Sequence, residues 1–145
     1  MKPTLLTAFA FAMLLVSCKK EETKAPAETP IQKEVTYHIF AARDYSAPIY
    51  QNVKADLRLQ IQVIDYKTGA SRLVWDSTFS TRKLTDFPLY DNKLVIKKTI
   101  PVMNSHEKLN GAYSVRYDNE GLIQQVAESD EAGPGKTSVL LEADM

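Results

Sequence analysis

Apolar and polar residues alternate along most of this chain with a period of two. In ADLRLQIQV (Ala55 to Val63), Leu57, Leu59, Ile61 and Val63 alternate with Arg58, Gln60 and Gln62. In an extended chain this sends one set of side chains to a core and the other to water, which is the signature of a half-buried strand. The same reading predicts strands at Val35 to Ala41, Arg72 to Phe79, Lys93 to Ile100, Ala112 to Tyr117, Leu122 to Ala127 and Thr137 to Ala143. The segments between them have turn chemistry: DYKTGAS around Gly69, YDNEG ending at Gly121, ESDEAG and DEAGPGK around Gly133 to Gly135. No window beyond the extreme N-terminus carries a helical stripe. About seven short strands at this spacing predict an all-β fold, an antiparallel β-sandwich or barrel.

The pattern breaks only near the start. Leu5 to Val16 is a largely apolar stretch of 12 residues preceded by Lys2. A helix crossing the hydrocarbon core takes about 20 apolar residues, so the run is too short to span and fits the apolar region of a secretory signal peptide, expected over residues 1–17. After it, KKEETKAPAETPIQKE (Lys19 to Glu34) is rich in Lys, Glu, Ala, Pro and Thr and shows no periodicity. Such a composition buries little apolar surface and reads as a flexible tether over residues 18–34, ahead of one domain over 35–145.

Between the run and the tether stands the only cysteine, Cys18. Leu15-Val16-Ser17-Cys18 resembles the lipobox of bacterial lipoprotein precursors: an aliphatic residue, a tolerant position, a small residue, then the cysteine. The resemblance implies diacylglyceryl transfer to the Cys18 thiol, cleavage before it and, often, acylation of the new amine with a fatty acid such as palmitate. A single acyl chain holds a protein only marginally at a membrane, whereas two or three anchor it firmly. The expected partner is therefore the membrane, reached through the lipid on Cys18, and the expected location is the cell envelope. Lys19 follows the cysteine where an inner-membrane retention signal of Gram-negative lipoproteins has Asp, which points to the outer membrane. KKEE is similar to the surface-export signal of certain Gram-negative lipoproteins, and display on the surface or into the periplasm stays open.

In residues 35–145 there are 13 Lys and Arg against 14 Asp and Glu. No basic stripe points to nucleic acid. With no cysteine beyond Cys18, the core holds the fold without a disulfide. LNGAYSV (Leu109 to Val115) resembles the tyrosine corner of immunoglobulin-like and fibronectin type III-like sandwiches. That likeness implies a structural Tyr113 whose hydroxyl ties back to upstream backbone, and it makes Trp75 the core tryptophan of the third strand. Val115 replaces the second cysteine of true immunoglobulin domains, so the likeness is to a disulfide-free sandwich.

Candidate chemistry is sparse. His38 lies in a predicted strand and His106 in the turn NSHEKLNG, and neither has the companions that a zinc site requires. The acidic stretches ESDEAG and YDNEG match no EF-hand spacing. There is no G-x-S-x-G elbow and no phosphate-binding glycine loop. No metal, cofactor or catalytic residue is therefore expected. Of the seven tyrosines, Tyr45 and Tyr50 flank Pro48 in an apparent loop, RDYSAPIYQN, where an aromatic is less plainly core. They are the candidate binding residues, for a protein or glycan partner. Two functions follow: an envelope lipoprotein whose sandwich is a binding or assembly module, or an envelope hydrolase or other enzyme whose residues meet only in three dimensions.

Overall fold

The alternation of β2 (Val53–Asp65) is realised directly: Val53, Ala55, Leu57, Leu59, Ile61 and Val63 are all buried, and the residues between them are not. The computed structural model describes residues 27–145. The signal peptide, Cys18 and most of the tether lie outside the described residues. The other strands are β1 (Ile31–Phe40), β3 (Ser71–Lys83), β4 (Leu94–Val102), β5 (Glu107–Asn119), β6 (Leu122–Ala132) and β7 (Ser138–Asp144). They form two sheets, β4-β1-β7 and β3-β2-β5-β6. The predicted disulfide-free sandwich of seven strands is the observed architecture.

Three strands packed on four make the two layers of the sandwich. Every ladder is antiparallel except that of β1 and β7, which runs parallel from Glu34↔Ser138 to Phe40↔Asp144. The sheets meet through Val35, Tyr37 and Ile39 of β1, Val139, Leu141 and Ala143 of β7, and the inward rows of β2 and β5. They approach closely at Gly111 in β5. A Cβ there would lie 2.8 Å from Val35 Cγ1 and 3.0 Å from Leu141 Cδ1, which explains a glycine where a strand ordinarily disfavours one.

Several strand limits differ from the periodicity, at β1, β5 and β6 in particular. β1 starts at Ile31 rather than Val35, so Ile31–Glu34, assigned to the tether by composition, pair with β4 from Ile31↔Val102 to Glu34↔Thr99. Lys33 in this stretch is buried, and its ammonium donates to the carbonyls of Ala132 at 3.0 Å and Gly133 at 2.7 Å. Burial pushes its pKa below the ordinary lysine value. β5 starts at Glu107 rather than Ala112. β6 runs on through Glu128–Ala132, where the acidic stretch was read as a turn, because its backbone stays on β5 as far as Leu109↔Ala132. An edge strand that buries little can carry charges at consecutive positions.

Candidate functional site

The loop from β1 to β2 folds on its own short-range bonds. The Asp44 carboxylate accepts from the Ser46 backbone N–H at 2.9 Å and from its hydroxyl at 3.0 Å, an Asx-type turn. Pro48 then opens a single 3-10 turn, Pro48–Tyr50. These two turns bring the rings of Tyr45 and Tyr50 together edge to face, with centroids 5.0 Å apart and planes at 77°, a favoured aromatic geometry. The Tyr45 hydroxyl donates to the Met145 carbonyl at 2.5 Å, which ties the loop to the end of β7.

Opposite the loop stands the hairpin of β5 and β6. Its two connecting residues, Glu120 and Gly121, have φ of 54° and 95°, the left-handed pair that a two-residue hairpin turn requires. The Gly121 N–H donates to Asp118 Oδ1 at 2.9 Å, and Asn52 Nδ2 donates to Glu120 Oε1 at 2.8 Å across to the first loop. The tight turn projects Leu122 and Ile123 into solvent, 75% and 50% exposed.

Between loop and hairpin lies an open cleft of about 550 Å³. Tyr45, Tyr50 and Tyr117 provide its aromatic surface, and Leu122, Ile123 and Leu84 its aliphatic one. Arg43, Asn119 and Gln124 add a guanidinium and two amides. Burial, then Tyr45 and the Asp144 charge, push the Tyr117 pKa above the ordinary tyrosine value. The lining therefore offers stacking faces, hydrogen-bond donors and one fixed positive charge. It suits a ligand with an apolar face and oxygen acceptors.

The sequence-predicted residues fare differently. Tyr45 and Tyr50 come together in the cleft. Tyr117 was missed as a binding residue because it reads as an ordinary strand position. The signal for it was the shared period of Tyr113, Val115 and Tyr117, which places all three on one face of β5. Tyr113 is buried, but its hydroxyl donates to Glu128 Oε2 on β6 at 2.8 Å. The predicted bond to upstream backbone is not made, because β6 brings a stronger, charged acceptor alongside. Burial and that carboxylate push the Tyr113 pKa up.

Trp75 is half-buried on edge strand β3 rather than central. Its ring centroid lies 6.0 Å from that of Tyr37, with Lys98 Nζ 5.0 Å above it. His38 Nδ1 lies 3.4 Å from Glu142 Oε1 on β7, and His106 stands beside Ser105 and Glu28. Among the described residues, no three His, Cys, Asp or Glu side chains gather at metal-holding distance. Likewise no helix among them is long and apolar enough to cross a membrane. No family model matches the chain, and neither does any curated protein or solved structure.

Proposed function

We propose that this chain is a lipid-anchored protein of the cell envelope, held through Cys18, whose β-sandwich is a binding module. The cleft between the first loop and the β5–β6 hairpin is its ligand-binding surface. The observation that supports this reading most is the convergence of Tyr45, Tyr50 and Tyr117 with exposed Leu122 and Ile123 in one open cleft. Aromatic and aliphatic groups in a concave site supply affinity, and a few polar groups fix orientation. Here Arg43, Asn119 and Gln124 play the second part. The lipobox Leu15-Val16-Ser17-Cys18 supplies the anchor, with outer-membrane placement following from Lys19, and the protein or glycan partner would be met at the membrane face.

Two measurements test this. Mass spectrometry of the mature protein should find Cys18 at the N-terminus with added diacylglyceryl mass; an unmodified thiol in an uncut chain sinks the anchor. For the cleft, a photoreactive benzoylphenylalanine at Leu122 should give discrete crosslinked adducts in living cells. The same group at Val95, exposed on β4, should give none of them. Identical adducts from both positions, or none from Leu122, would remove the cleft as the binding surface.

A further inference from the structure

The two sheets differ in strand count, and the shortfall falls on one side. β7 ends the three-stranded sheet and β6 ends the four-stranded one. The register with β5 puts Leu122, Gln124, Val126 and Glu128 on the same face as Tyr117, Val115 and Tyr113, so this row of β6 points inward. Ala132 at the far end of this row is buried and β7 approaches β6, but the Leu122 end is left uncovered among the described residues: Leu122 is 75% and Val126 42% exposed.

Among the described residues, no strand pairs with the edge of β7 beside this gap. The Thr137 carbonyl accepts from the Glu34 N–H at 2.9 Å, and the Met145 N–H donates to the Phe40 carbonyl at 2.8 Å. The odd-numbered peptide groups of this segment thus face β1. Successive peptide groups of a strand point to opposite edges, so those of Ser138, Leu140, Glu142 and Asp144 point to the open side. Sheet edges are commonly guarded by lysine or proline. Edge strand β4 has Lys97, Lys98 and Pro101; β7, SVLLEAD, has neither lysine nor proline.

Charge selects the occupant. Glu128, Glu142 and Asp144 border the gap. Glu128 accepts from the Tyr113 hydroxyl at 2.8 Å, and Glu142 faces only His38. Among the described residues, neither Glu128 nor Asp144 has a lysine or arginine in ion-pair contact. A second copy presenting its own β7 would bring another Glu142 and Asp144 to this edge and add to its negative charge rather than offset it. We propose that β7 accepts an extended, lysine- or arginine-bearing segment of another protein as an eighth strand, which completes the three-stranded sheet and covers the inward row of β6. Main-chain hydrogen bonds to the free edge supply affinity in this mode, and alternate side chains supply selectivity. The inference stands on the β7 edge; the row it covers shares Leu122 and Gln124 with the cleft, and Leu140, outside the cleft lining, is the position that tells the two apart.

The test uses the full-length chain in detergent micelles and fluorescence anisotropy of a labelled octapeptide of alternating lysine and valine. The control peptide alternates glutamate and valine. Leu140→Pro removes an N–H on the free side and no bond to β1, so the strand should persist. It should weaken binding of the lysine peptide about tenfold, as expected for losing one main-chain bond and adding a steric block. Thermal unfolding should stay near that of wild type. The pair Glu128→Gln with Asp144→Asn keeps an acceptor for Tyr113, and it should weaken binding severalfold and flatten its salt dependence. That pair decides the question if Leu140→Pro does not fold. Equal affinity of the variants and wild type, or equal binding of the glutamate peptide, overturns the proposal. So does a concentration-dependent dimer that Leu140→Pro abolishes, which would assign the edge to a second copy.

Discussion

The two long sides of the sandwich are closed differently. On one side β3 and β4 are both edge strands, and Trp75 fills the seam between their sheets, against Tyr37 below and under the Lys98 ammonium. Ile96 and Ile100 of β4 and Phe79 of β3 complete it. On the other side β7 covers β6 only in part, and Leu122 and Val126 stay open although their register is that of core residues. The inner row of β2, two strands away in the same sheet, has no residue more than 8% exposed. Facing inward is thus a property of the strand, but burial is a property of what lies opposite. A three-on-four sandwich leaves part of one row without a cover.

Substitutions on the two sides should therefore differ sharply. The largest effect is expected on the sealed side. Trp75→Ala removes the seam and should cost about 2–4 kcal/mol in urea unfolding, somewhat under the usual value for a fully buried aromatic. A loss below about 1 kcal/mol would mean that the two sides do not differ in packing.

Next comes the buried phenol beneath that seam. The Tyr37 hydroxyl donates to the Gln60 carbonyl at 2.6 Å, and burial raises its pKa well above the ordinary tyrosine value of 10.0. The folded state therefore keeps this proton at a pH where the unfolded chain has lost it. The stability it contributes is fully present below about pH 10 and falls as pH rises above that value. Tyr37→Phe should cost about 0.5–1.5 kcal/mol at neutral pH, and it should flatten the alkaline fall, measured as denaturation midpoint against pH. An unchanged alkaline limb in the variant would show that Tyr37 does not carry it.

The smallest effect is expected on the open side. Leu122→Ser should change stability by no more than about 0.5 kcal/mol. A loss comparable to that of Trp75→Ala would show that the β6 row is already covered, which would also close the gap proposed to take an eighth strand.

Much of this was legible in the chain. Period-two alternation is local information: it requires only that neighbouring side chains face opposite ways, and it returned seven strands, the glycine turns and a core without a disulfide. Tyr45 and Tyr50 stood out because Pro48 marks their segment as loop, where an aromatic has less reason to be buried. Several features lay beyond that reach. Lys33 looks like tether chemistry until its ammonium finds the carbonyls of Ala132 and Gly133, some hundred residues on in the chain. Tyr113 has the sequence of a corner tyrosine, but its acceptor is chosen by the strand that pairs beside it. The parallel joining of β1 to β7, the exposure of the inward row of β6 and the meeting of Tyr117 with the loop tyrosines follow from which strands lie next to and over one another. Backbone hydrogen bonds are the same at every residue and carry no address. The sequence by itself thus determined the strands and their faces, while their neighbours, and with them the cleft and the open edge, were decided by how two sheets of unequal width bury the most apolar surface.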